Sequence, residues 1–155
     1  MKIRINNCSN NNLRREMRSV AEFVMNHFFR GSKLLKNVDI NIVIDNLETR
    51  RHQAWGLCTW KGNRYRPRKF LIELYEHIPK KTFLQILMHE LVHVKQYLTG
   101  EMKDYVGGDS SKWKNTVYYG LNNIDNEYDH YSLPWEHQAK KLSEKLYTMY
   151  ISSSK

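Results

Sequence analysis

The sequence predicts an α+β domain: a small mixed or antiparallel sheet packed on an N-terminal helix and a central helix, with a further helix near the C-terminus. Two observations carry that expectation. Apolar residues recur with the helical period in three stretches, from Leu13 to Phe28, from Phe83 to Leu98 and from Trp135 to Met149. Between the first two, residues 38–45, 53–60 and 69–74 are rich in β-branched, aromatic or alternating apolar residues, the pattern of strands. A chain of 155 residues is long enough for one core and short for two, so residues 1–155 are expected to form one domain, with 151–155 as a frayed tail.

Taken in order, Ile3 and Ile5 flank Arg4 and suggest a short edge strand. Asn12 can cap the first helix, whose apolar positions Leu13, Met17, Val20, Ala21, Val24 and Phe28 run until Gly31. The stretch 38–45 alternates apolar and polar residues as a half-buried strand does, and 46–52 is a polar connection. Residues 53–60 and 69–74 are joined by a turn at Lys61-Gly62-Asn63 and are expected to form a hairpin, with Pro67 marking the start of the second strand or an edge. From Pro79 to Leu98 no Gly or Pro intervenes; Pro79 or Thr82 can begin a helix and Gly100 stands where a left-handed cap ends one. At about 100° per residue, Phe83, Leu84, Leu87, Leu91, Val94 and Leu98 share one face and Ile86, His89, His93 and Tyr97 the other, so both sides should be covered. From Gly100 to Leu133 the periodicity fades and irregular structure is expected. Its aromatics Trp113, Tyr118, Tyr119, Tyr128 and Tyr131 should mostly pack, with one lining a cleft. Residues 134–151 read as a helix with a narrow stripe at Trp135, Ala139, Leu142, Leu146 and Met149.

The formal charge is +9, from 25 Lys and Arg against 16 Asp and Glu, which suits acidic partners such as DNA or a DNA-bound protein. Only Cys8 and Cys58 are present, neither in a C-x-x-C pair, so a disulfide framework and a cysteine-based zinc ribbon are excluded and a reducing compartment is expected. The first residues carry charge and Asn where an export signal needs an apolar run, and no window approaches the ~20 apolar residues of a membrane span. The expectation is a cytoplasmic protein with no membrane partner.

The stretch Met88-His89-Glu90-Leu91-Val92-His93 concentrates the chemistry. On a helix, His89 and His93 lie one turn apart and can offer two imidazole nitrogens to one Zn²⁺, while Glu90 sits beside them as a proton acceptor for metal-bound water. With 7 His and 10 Glu in the chain, a random order would contain H-E-x-x-H with a probability of about 0.02. A catalytic zinc takes three protein ligands, and the short spacings fail, because Gln96 and Thr99 stand where a nearby third ligand would be. Downstream candidates are Asp125, Glu127, Asp129, His130, Glu136 and His137. If the stripe centred on Trp135 and Leu142 faces inward, Glu136 lies about 100° from its centre and His137 about 200° away, which favours Glu136. A carboxylate in a first helical turn also complements the helix dipole, and that alone is the competing role for Glu136. His130 is the second choice as ligand.

His89-Glu90-Leu91-Val92-His93-Val94-Lys95-Gln96-Tyr97, then Gly100-Glu101-Met102, Lys112-Trp113 and Tyr131-Ser132-Leu133-Pro134-Trp135-Glu136-His137-Gln138-Ala139, together resemble the small SprT-like zincin metallopeptidases, particularly versions encoded by bacteriophages. The Pro134-Trp135-Glu136-x-x-Ala139 segment also resembles the Glu-x-x-Ala helix of gluzincins, in which the Glu is the third zinc ligand. The resemblance spans roughly residues 38–147. It implies a zincin-like fold whose C-terminal helix supplies Glu136, working in the cytoplasm of a host cell. Many cellular SprT-like proteases use a third histidine, which this chain lacks at the matching short spacing.

The function expected is therefore a zinc-dependent metalloendopeptidase acting on a protein or peptide substrate. His89, His93 and Glu136 would be the metal ligands, Glu90 the general base, and Tyr131, Tyr128 or His130 the second electrophile, Tyr131 being chosen. The 53–60 strand would hold substrate backbone by strand addition, with Arg64, Arg66, Arg68 and Lys69 near it for acidic groups. Two alternatives stand beside this: a basic nucleic-acid-associated binding protein with an inert or structural zinc, and a metal-free domain with two buried histidines.

Overall fold

The computed structural model describes residues 1–44, 54–63, 65–75, 77–105, 110–121 and 131–153. Within them the chain is mixed α+β: three α-helices and two sheets. The first sheet has four strands, β1 (Lys2–Asn6), β2 (Asp39–Ile44), β3 (Gly56–Lys61) and β4 (Lys69–Leu74), in the order β1-β2-β4-β3. β1, β2 and β4 run parallel and β3 antiparallel to β4, so of the two arrangements left open by the sequence it is the mixed one.

Parallel neighbours need a crossover, and helix α1 (Asn11–Phe29) provides it between β1 and β2. Its cap is Asn10, whose side chain accepts from Asn12 N at 2.9 Å and Leu13 N at 3.1 Å. Three successive Asn residues can each cap, so composition alone placed the start at Asn12, two residues late. Period-two alternation in β2 sends Ile40, Ile42 and Ile44 to one face, where they meet Ile3 and Ile5 of β1 and Phe70, Ile72 and Leu74 of β4. Each of these large side chains gives about 1.5–3 kcal/mol on leaving water.

Helix α2 (Lys80–Thr99) closes that core with Phe83, Leu84, Leu87, Leu91, Val94 and Leu98, and also packs against α1, β3 and β4. Pro79 stands at its N-cap, and Gly100 ends it in the left-handed region at φ 73°. Its other side is covered as well, by helix α3 (Pro134–Ser153). α3 buries Trp135, Ala139, Ser143 and Leu146, while Leu142 is half-buried and Met149 is exposed, so the apolar stripe is shorter than its sequence pattern.

Residues 100–105 and 110–121 depart from the irregular structure expected there. β5 (Met102–Asp104), β6 (Ser110–Trp113) and β7 (Thr116–Tyr119) form a second, antiparallel sheet. Strands of three or four residues are too short to show an alternation, and of their side chains only Met102, Ser111 and Trp113 are buried. The turn between β6 and β7 places Lys114, a residue without turn preference, at φ 52°. Trp113 and Tyr118 pack on Trp135, as expected of aromatics in this stretch, whereas Tyr119 is exposed. No helix of the described residues is long and apolar enough to cross a membrane.

Candidate metal centre

Two helices that cover each other bring together three side chains able to ligate a metal. His89 and His93, one turn apart on α2, turn their Nε2 atoms to within 3.1 Å of each other. From the first turn of α3, Glu136 reaches both: Oε2 lies 3.0 Å from His89 Nε2 and Oε1 3.4 Å from His93 Nε2. Among the described residues these three form a group of His, Cys, Asp or Glu able to hold a metal ion. His137, the neighbouring candidate, is exposed, as the helical projection required. Asp125, Glu127, Tyr128, Asp129 and His130 lie outside the described residues, as do Gln53 and Arg64.

The spacing fits a metal. Donors about 2.0–2.2 Å from a tetrahedral zinc lie about 3.3–3.6 Å apart; the two Nε2 atoms are 3.1 Å apart, Glu136 meets them through different oxygens at 3.0 and 3.4 Å, and one ligand atom from each residue lies within 4.8 Å of the others. Two imidazoles and a carboxylate are a donor set met in catalytic rather than structural zinc sites.

The candidate ligands are themselves held by hydrogen bonds. Gln96, fully buried one turn beyond His93, donates from its NH₂ to Trp135 O at 2.9 Å and to Gln138 Oε1 at 3.1 Å. Its own Oε1 must therefore accept from His93 Nδ1–H, at 2.8 Å, which leaves Nε2 as the atom that could ligate a metal. Lys95 extends the network: its ammonium bonds both oxygens of Glu101, at 2.7 and 2.8 Å, and reaches Gln138 Oε1 at 3.5 Å. In the sequence Gln96 marks only the place where a short-spaced third ligand would have stood. Its position three residues after His93, on the same helical face, was the signal for its role.

The electrostatics agree with a cation site. Burial pushes Glu136 up, but the facing imidazoles and their hydrogen bonds outweigh it and hold the carboxyl well below its usual range. Burial pulls His93 down, yet the Glu136 carboxylate, with Glu90 and Gln96, lifts it to about 9. Glu90, 6 % exposed, is raised above the ordinary carboxylate value by burial and the Glu136 charge, against the pull of the two histidines. Cys58, opposite on β3, has its thiol pushed well up by burial and then by Glu90, Asp104 and Glu136, so it is not poised as a thiolate ligand.

A cleft of about 640 Å³ opens over this centre. Gly56, Leu57 and Cys58 of β3 contribute to one wall and Ile86 of α2, Trp135 of α3 and Tyr131 to the rest. Tyr131 is exposed at this cleft. Tyr97, placed on the metal-facing side by the sequence, also lines it, but its hydroxyl donates to Asp104 Oδ2 at 2.8 Å and burial pushes its pKa far up. Asp104 also accepts from Trp60 Nε1 at 2.9 Å and Ser111 Oγ at 2.7 Å, tying β5 to β3, α2 and β6. No pattern in the sequence pointed to Asp104, because its three donors come from separate elements. No family model matches the chain, and no curated protein or solved structure matches it either.

Among the described residues β3 is an edge strand. Tyr75 N donates to Trp55 O at 2.9 Å, so by the alternation of an antiparallel ladder Gly56, Cys58 and Trp60 direct their backbone groups away from β4. Of the basic residues expected near this strand, Arg66 and Lys69 are exposed and Arg68 donates to Leu34 O.

Proposed function

We propose that the chain is a zinc-dependent endopeptidase of the SprT-like, gluzincin-type kind. His89, His93 and Glu136 would hold the ion. Bound there, zinc would supply a Lewis acid that polarises the scissile carbonyl and brings the pKa of a coordinated water toward ~7. Glu90 accepts the proton of the attacking water and returns it to the departing amine nitrogen. Its raised pKa suits both halves of that task, since an acid–base group works best near ambient pH. Tyr131 donates to the carbonyl oxygen as negative charge develops on it. The outward backbone groups of Gly56, Cys58 and Trp60 pair with extended substrate, so that the chain to be cut lies along the cleft as an added strand.

The observation that carries this reading is the convergence of His89, His93 and Glu136, each residue within 3.4 Å of the other two, with a buried carboxylate next to them in the same helical turn. The test is cleavage of an unfolded protein by zinc-loaded chain and by Glu90→Gln. The variant should keep its zinc and lose cleavage by about 10²-fold or more; equal cleavage by both would reject the assignment. The charge of +9 favours a second reading, a nucleic-acid-associated protein with an inert zinc. On that reading Glu90→Gln has no consequence, and salt-dependent DNA binding is the activity that remains.

A further inference from the structure

Glu90 is buried, yet no hydrogen bond from the described residues holds its carboxylate. Gly56 of β3 packs directly against it. A Cβ on Gly56 would lie 2.7 Å from Glu90 Oε1, 3.2 Å from Glu90 Cδ and 2.5 Å from Ile86 Cγ2. Carbon and oxygen do not approach that closely without something moving. Gly56 is not among the glycines with positive φ, so the backbone does not demand a glycine here. The demand is for space.

We infer that Gly56 is a positioning residue for Glu90: the side chain it lacks is the slot in which the carboxylate sits beside the two histidines. The inference rests on the assignment of Glu90 as proton acceptor. β3 therefore does two things at one residue. Its outward edge faces the substrate side of the cleft, and its inward face fixes the base. Ile86, one turn before Glu90 on α2, bounds the same slot. A methyl group at Gly56 must displace Ile86, Glu90 or the strand, and misplacement of a reacting group by about 1 Å can cost on the order of 10²-fold in rate.

Zinc-loaded Gly56→Ala, with unfolded casein as the cleaved probe, is expected to lose about 10²-fold in kcat while KM and zinc affinity stay unchanged. Placed on Glu90→Gln, the same substitution should cost nothing further, because it acts through a group already disabled. Adding Ile86→Ala to Gly56→Ala relieves the apolar overlap and guards against a folding defect, and kcat should remain low. A loss of zinc affinity, an equal further loss on Glu90→Gln, or recovery of kcat with Ile86→Ala would overturn the inference. If the wild-type chain cleaves nothing, the endopeptidase reading fails by itself and a crystal structure of Gly56→Ala decides the positioning claim. A carboxylate shifted by about 1 Å supports it; Glu90 in place with only Ile86 rotated overturns it.

Discussion

The Nδ1 of His93 donates to Gln96 Oε1 at 2.8 Å, and the other end of the same amide bonds Trp135 O, the residue just before Glu136. One buried side chain thus fixes the imidazole of α2 and the backbone from which the α3 carboxylate projects. Gln96→Leu removes these two bonds and the one to Gln138 with little change in volume and is expected to weaken zinc binding by about 10–100-fold, read by competition with a chromophoric chelator. Unchanged affinity would show that the imidazole orients itself.

Glu136 should matter more than Gln96. Glu136→Ala removes a donor and leaves two histidines, which do not make a catalytic zinc site. The loss of affinity in the same competition assay is expected to exceed the ~10–100-fold of an outer partner. His137→Ala, one residue on and exposed, should leave affinity unchanged.

Without metal, the cluster makes stability depend on pH. His93 in the folded chain is lifted to about 9 from an ordinary 6.5, so its pairing contributes fully below pH 6.5 and is lost as pH rises through about 9. Glu136 is lowered from 4.5, so its contribution is present above pH 4.5 and is lost as pH falls through the lowered folded value. Chelator-treated protein should therefore melt highest between pH 4.5 and 6.5 and lower at pH 9. Zinc needs the deprotonated imidazole, so the rise in Tm on adding zinc should be larger at pH 9 than at pH 6. An increment that does not change with pH would contradict the pairing.

Asp104 accepts hydrogen bonds from Trp60, Tyr97 and Ser111. Asp104→Ala orphans three donors in a partly buried setting and is expected to cost about 2–4 kcal/mol in urea unfolding. A change within about 0.5 kcal/mol would mean that water replaces the carboxylate at no cost.

The parts legible in the sequence were those in which one element carries its own signal. Twenty residues without Gly or Pro, closed by Gly100, announced α2, and the H-E-x-x-H spacing announced the histidines. Glu136 was reached because a helical projection separates it from His137. The second sheet was not legible, since each strand is too short for an alternation to emerge and its register depends on partners across a turn. Gln96, Gly56 and Asp104 escaped for a related reason. Their roles come from atoms on other elements, and only Gly56, a glycine in a strand, left a trace of close approach.

X-ray absorption at the zinc edge, on protein purified without chelators, bears most directly on the metal centre. One zinc per chain, with two imidazole nitrogens and at least one carboxylate oxygen at about 2.0–2.2 Å, is the expected result, and the imidazole signal should fall by half in His93→Ala. Protein that carries no zinc and takes none up, or a zinc surrounded by sulfur, would contradict it.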